Sequence, residues 1–193
     1  MTGTRPLENR APEDGDGTEI RIRVVNSFND IDVESWSALN GTAKPAEAGA
    51  FYNPFVSHAF LNALEAGGCA TADTGWLGQH LLLETVSGSL LGALPCYLKS
   101  HSQGEYVFDH GWADAFERAG GQYYPKLQSS IPFTPATGPR LLHRLDTQPA
   151  QAQSALAHGL KMLTDRLGVS SAHATFVPED EIGAFTEQGY LHR

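Results

Sequence analysis

A chain of 193 residues with 41% hydrophobic and 18% charged residues is long enough to bury one substantial core, and it is read as one domain. Its 13 basic residues are scattered among 22 acidic ones, for a formal net charge of -9, which disfavours nucleic-acid binding because phosphate contacts need clustered Lys and Arg. The longest purely apolar runs, such as Leu81–Leu83, fall far short of the roughly 20 residues that span a bilayer, so a soluble protein is expected.

Residues 1–18 are rich in Gly, Asp, Glu and Pro and lack the apolar stretch of a secretion signal, which reads as a disordered leader and a cytoplasmic location. Residues 19–25 alternate charged and apolar side chains at the period of a half-buried strand. Ser27 is placed to cap a helix with Phe28, Ile31, Trp36 and Leu39 near one face, ending by Gly41. A looser Ala, Gly and Pro segment runs to Ala50. Ser57 caps a second helix, with Val56 and Leu61 as a hydrophobic staple and Gly67 and Gly68 as its stop. Ser57 beside His58 lacks the elbow and third partner of a nucleophile.

Two apolar runs, His80 to Val86 and Leu90 to Leu98, flank Ser87, Gly88 and Ser89, which predicts an antiparallel hairpin with a bulge or edge position at Pro95. A strand over residues 105–109, a short helix between Gly111 and Gly120, and a strand at Leu141 and Leu142 follow. Thr147 caps a helix with Pro149 in its first turn; Ala152, Leu156, Leu160, Leu163 and Leu167 recur at helical spacing, and Gly168 closes it. A strand over Val169 to Val177, a helix after Pro178 ending at Gly189, and the start of a strand at Tyr190 complete the order. These elements compose a mixed α/β (α+β) fold, a mostly antiparallel central sheet flanked by helices on both faces.

Aromatic, charged and turn-forming residues crowd into residues 106–142, the expected site. Tyr123, Tyr124 and Lys126 beside Pro125 suit the anchoring of an anionic or peptide-like substrate, or else form a packed aromatic corner with a solvated lysine. Arg140, after Gly138 and Pro139, is placed either to grip a carboxylate or phosphate or to pair with Asp109, Asp114 or Glu117. Lys126, Arg140 and Arg144 together offer a local spot for a small anion. Trp112 is read as a lid or core anchor, and Thr137 completes the candidate substrate-binding set of Trp112, Tyr123, Tyr124, Lys126, Thr137 and Arg140. His110, next to Asp109, is the candidate general base, against the plainer reading of a surface hydrogen bond. No histidine pair has helical metal-ligand spacing, and Cys69 and Cys96 form neither a CxxC nor a zinc pattern; no metal is expected, and both thiols are expected to be reduced.

The stretches NPFVSHAFLNALE, TGWLGQHLLLE, LLGALPCYLKSHSQGEYVFD, HGWADAFERAGGQYYPKLQ and IPFTPATGPRLL, in this order, resemble the N-terminal half of FemAB-like proteins of peptidoglycan biosynthesis or recognition, over roughly residues 20–193. The resemblance implies a GNAT-like fold, the first of a tandem pair packing against a second GNAT-like half. It implies an N-acyltransferase that moves an acyl or aminoacyl group onto an amine, with a peptidoglycan-precursor-like acceptor, whose activity belongs to the full-length protein. The alternative is a non-catalytic recognition module for a cell-wall precursor or partner protein. No tightly bound cofactor is expected. Acyl-CoA and aminoacyl-tRNA both stand as donors; the chain lacks the closely spaced glycines of a pyrophosphate loop, since Gly138 stands without them in TPATGPRLL.

Overall fold

The computed structural model describes residues 19–42 and 52–193. The proposed leader and most of the Ala, Gly and Pro segment before residue 52 lie outside the described residues. Alternation in β1 (Ile20–Val25) places Ile20, Ile22 and Val24 toward the core, while Arg21 and Arg23 reach Glu84 on the neighbouring strand, Arg23 Nη2 at 2.7 Å. The predicted first helix is instead broken. Ser27 caps a 3-10 turn over Phe28–Asp30, the chain extends at Ile31, and Asp32 caps the short α1 (Val33–Ser37). Two competing capping residues five positions apart divide what periodicity alone read as one helix. Trp36 of α1 is buried, its indole N–H donating to Val56 O at 2.9 Å. Helix α2 (His58–Ala66) starts where predicted, with Ser57 Oγ accepting from Phe60 N, and Gly67 at its C-terminal cap.

The predicted hairpin forms but reaches further than its apolar runs. Strands β2 (Trp76–Gly78) and β3 (His80–Thr85) make its first arm, and β4 (Leu90–Leu94) and β5 (Tyr97–Lys99) its second. Pro95, which has no N–H to give a ladder, divides the second arm, and Gln79 N–H donates to Cys96 O at 2.8 Å across the break. The break separates two sheets, so the anticipated single central sheet is two four-stranded ones.

In the first sheet the order is β1-β3-β4-β7, with β7 (Leu142–His143) on the outer edge of β4. In the second the order is β2-β5-β6-β8, with β6 (Lys126–Ser129) antiparallel to β5 and β8 (Ala172–Ala174) parallel to β6. Helices cover both faces of the first sheet. On one side, α4 (Pro149–Leu167) sets Leu156 and Leu160 against Leu81, Leu83 and Leu94; on the other, the α1 and α2 region packs Trp36 and Leu61 around Leu82, Ala93 and Leu142. The α4 side continues under the second sheet through Leu127, where α5 (Glu179–Glu187) adds Phe185. Gly168 ends α4 in the left-handed conformation, φ 63, and Pro149 occupies its first turn. Thr147 is not its cap, because Thr147 Oγ1 donates to Arg144 O and Gln148 takes the cap position.

Three further expectations are corrected. Residues 105–109 form no strand: Gly104 and Tyr106 take φ of 80 and 59, turning Glu105 and Asp109 inward, where buried charge pairing overrides β propensity. They lead instead into α3 (His110–Arg118), the expected short helix. The strand over Val169 to Val177 shrinks to β8, since Phe176 at φ 55 cannot continue a ladder. Residues 190–193 are not a strand. Strands β2 and β6 were not anticipated.

Candidate functional site

The register of the second sheet decides which side chains share a face. Trp76 pairs with Lys99 and Lys99 with Lys126; two residues along, Tyr97 pairs with Gln128 and Gln128 with His173. Side chains alternate along strands, so these residues form one face, and Leu77, Leu98, Leu127 and Ala172 form the other. The second group faces the α4 core or its edge. The first is a polar face, yet Trp76, Tyr97, Lys99 and Gln128 are each 0% exposed. Gln103, Glu105 and Asp109 of the segment after β5 reach its lysines, Phe133 stands against Trp76, and Leu64 and Ala70 pack on Trp76 and Tyr97.

Lys126 Nζ lies 2.8 Å from Glu105 Oε2 and 2.5 Å from Asp109 Oδ2, all three side chains buried. Asp109 also accepts from the Tyr123 hydroxyl at 2.9 Å and the Tyr124 hydroxyl at 2.8 Å, so one carboxylate gathers both tyrosines and the lysine. Burial alone pushes the Asp109 carboxyl up, but the hydrogen bonds from Lys126 and Tyr124 outweigh it and hold the group well below the usual carboxylate range. Glu105 goes the other way, raised by burial against the pull of Lys126. The Tyr124 phenol is pushed up to about 12 by burial and by donating to Asp109.

Lys99 is the second lysine of this face. Its ammonium stands 3.6 Å over the Trp76 ring and donates to Gln103 O at 3.2 Å. Burial lowers it to about 7. His173, lowered to about 4 by burial and then by Lys126, is a neutral imidazole whose Nε2 meets Ser171 Oγ at 2.8 Å. Lysine and carboxylate numbers match, which lets this much charge stay inside the fold.

Among the sequence-derived candidates, the structure brings Tyr123, Tyr124 and Lys126 together. The plainer alternative for this group, a corner with a solvated lysine, is corrected, because Lys126 is 1% exposed. Trp112 is not a core anchor: it is 63% exposed on α3, with the Arg193 guanidinium 5.0 Å from its ring. His110 is exposed at the start of α3, its ring 6.1 Å from that of Phe108, while the oxygens of Asp109 are directed to the tyrosines and Lys126. Thr137 is exposed, and its carbonyl accepts from Asn53 Nδ2 at 3.3 Å.

Arg140 meets neither expectation. Its guanidinium is 0% exposed and donates to the carbonyls of Ala136 (2.8 Å), Gly138 (2.9 Å) and Thr175 (3.1 Å), while its own N–H and that of Leu141 donate to Glu181 Oε2. It knits the proline-rich turn to the end of β8, and Asp109, Asp114 and Glu117 are not its partners. The anticipated basic spot is likewise absent, since Arg144 pairs with Asp146 and Lys126 with its two carboxylates. His58 is structural too, its Nε2 within 2.9 Å of Phe28 O.

Lys99, Trp76 and Glu105 escaped the reading of the sequence. A usable signal was present: in CYLK the apolar Cys96 and Leu98 alternate with Tyr97 and Lys99, so a strand there must carry its lysine on the same side as the tyrosine. Asp109 enters the sequence pattern only as a neighbour of His110 and a possible partner of Arg140.

Two surface concavities, of about 150 Å³ beside Lys161 and Tyr190 and about 250 Å³ beside Asn26 and Glu65, are lined by none of these residues. Among the described residues no three or more His, Cys, Asp or Glu gather as metal ligands, and no helix is long and apolar enough to cross a membrane. The mixed, mostly antiparallel α/β architecture is consistent with a GNAT-like α+β fold. Comparison with curated proteins finds no match, and neither does comparison with solved structures. A family model described as FemAB-like, peptidoglycan biosynthesis/recognition, matches residues 27–193, which include every strand from β2 onward and the whole polar face; the chain belongs to the FemAB-like family.

Proposed function

We propose that this chain supplies acceptor contacts to an N-acyltransferase that moves an acyl or aminoacyl group onto an amine of a peptidoglycan-precursor-like molecule, as the first of two GNAT-like halves. Family membership supports the class of reaction. The observation that carries the location is the Lys126, Asp109, Tyr123 and Tyr124 constellation, a costly buried polar network within the stretch richest in family-like motifs. In such a transfer the acceptor amine attacks the donor carbonyl, the ester or thioester bond breaks, and the amine proton leaves to a base. Asp109 is a poor base, with both oxygens engaged and its carboxyl held low. His110, exposed at the start of α3, is the proposed proton acceptor. Acyl-CoA and aminoacyl-tRNA are the proposed donors, bound chiefly by the second half.

The chain is mixed with an amine-bearing muropeptide, and binding is followed by calorimetry; transfer from acetyl-CoA or alanyl-tRNA is followed by mass spectrometry. Saturable muropeptide binding that weakens in Asp109→Asn is expected, and absence of both binding and transfer overturns the reading. The second reading, a recognition module without catalysis, is favoured by the closure of the polar network around Asp109. It predicts muropeptide binding with no transfer from either donor, even in a protein carrying both halves.

A further inference from the structure

Lys99 and Lys126 lie side by side on one face, are equally inaccessible, and are treated differently by the fold. Lys126 holds two carboxylates. Lys99 has no carboxylate within 4 Å among the described residues; one carbonyl oxygen and one indole ring are its company. An ammonium carries three N–H donors, so two have nothing to bind.

The same face concentrates other unmet polar atoms. Trp76 Nε1, Tyr97 Oη and Gln128 Oε1 on the sheet, Ser130 Oγ just past the end of β6, and Ser102 Oγ and Glu105 Oε1 on the segment after β5, are all buried without a hydrogen-bond partner. Folded proteins leave few such atoms, and here six of the seven found among the described residues belong to this face, its strand ends or the segment after β5, with Tyr97 at the edge beside His80 and Leu64. Four of the six carry a hydrogen to donate. Against Trp76 lies Phe133, 42% exposed and at φ 57, its ring 5.6 Å from the indole and its N–H bonded to Gly104 O. Gly104 leaves room for that ring, since a Cβ there would come within 2.6 Å of it.

We propose that this face is a subsite for the free carboxylate of an amino-acid-like or peptide ligand, anchored on Lys99 and the donors around it and reached by displacement of the Phe133 ring. The charge pattern selects the ligand. Glu105 and Asp109 already share Lys126, leaving one excess negative charge beside the one positive charge of Lys99. With Lys99 the four groups sum to no net charge, so a planar monoanion with two acceptor oxygens suits the one ammonium not already paired and several neutral donors, whereas a phosphate dianion would bury a second charge with no cation to meet it. Glu105 Oε1 and Gln128 Oε1 remain to accept N–H groups from the same ligand. The proposal deepens the acceptor reading above by naming the acceptor group that is gripped.

The test uses the whole chain and follows the Trp76 indole N–H by NMR while N-acetylalanine, or its carboxamide, is added. N-acetylalanine is expected to shift this resonance saturably, with the carboxamide weaker by at least about tenfold, because a charge-assisted bond is lost. Lys99→Met is expected to abolish the shift. Wild-type protein with labelled lysine provides a readout that needs no variant: the Lys99 Cε titration, set by Glu105, Asp109, Lys126 and His101 around it, should move to higher pH when N-acetylalanine saturates the protein. An unshifted Trp76, or equal binding of the carboxamide, overturns the proposal. A chain that binds N-acetylalanine but never transfers an acyl group retains the subsite while the transferase reading fails. Equal transfer to acceptors with a free and an amidated carboxylate removes the subsite and leaves the transferase reading intact.

Discussion

Replacing Lys126 by methionine keeps most of the side chain's bulk and deletes its charge. Glu105 and Asp109, whose oxygens both bond to the same lysine nitrogen, are then left facing each other in a site from which water is excluded. Removing one partner of a buried ion pair costs about 3–5 kcal/mol, because the uncompensated charge cannot be rehydrated. Two carboxylates lose their partner here, while the Tyr123 and Tyr124 hydroxyls still donate to Asp109, so the same range, about 3–5 kcal/mol at neutral pH, is expected. Urea unfolding followed by tryptophan fluorescence measures it as a lower midpoint at unchanged slope. The loss should shrink on mild acidification, because Glu105, already raised by burial, takes up a proton and relieves the repulsion. Adding Glu105→Gln should recover part of the stability at neutral pH. A loss below about 1 kcal/mol, the value of a surface pair, would refute the claim that this network is buried and charged.

Lys99→Met should behave oppositely. The folded-state value of Lys99, about 7, lies below the unfolded value of about 10.4, so the charged lysine penalises folding fully below pH 7 and progressively less above it. The variant should therefore unfold at higher urea than wild type near pH 6, and the gain should fade toward about pH 10; a large loss of stability instead would mean that Lys99 is a structural ion. Glu181, raised to about 7 by burial, contributes its stability below its unfolded value of about 4.3 and loses it as pH rises toward 7. Glu181→Gln keeps an acceptor for the N–H groups of Arg140 and Leu141 and should flatten that decline, read from urea midpoints across the interval. Arg140→Lys replaces a planar fork that reaches three separated carbonyls by a single nitrogen, and should cost about 2–3 kcal/mol in thermal or urea unfolding while leaving muropeptide affinity unchanged. A changed affinity with unaltered stability would return Arg140 to the substrate.

Capping and termination were readable from a few adjacent letters because the atoms involved are close along the chain. Ser57 accepts from a backbone N–H three residues on, and Gly168 takes a left-handed turn because it lacks a Cβ. The hairpin was equally local, with Gly88 at φ 94 between its arms. Where two local signals competed, as Ser27 and Asp32 do, the larger period misled. Residues 105–109 show the opposite failure: Tyr106, Val107 and Phe108 are a run of strand-favouring letters between two acids, and the acids turn inward because Lys126, 17 residues beyond Asp109, needs them.

By itself, the sequence determined the start of α2, the glycine stops of α2 and α4, the hairpin, the grouping of Tyr123, Tyr124 and Lys126 and the family resemblance, all carried by neighbouring residues or contiguous motifs. Only the tertiary structure decided that Pro95 parts two sheets, that Arg140 serves the backbone, and that Lys99 stands beside Lys126 without a carboxylate of its own. Those outcomes depend on which strands pair, in which register, and on which charges burial forces together. Pairing and burial join residues far apart in the chain, and no short stretch of letters records them.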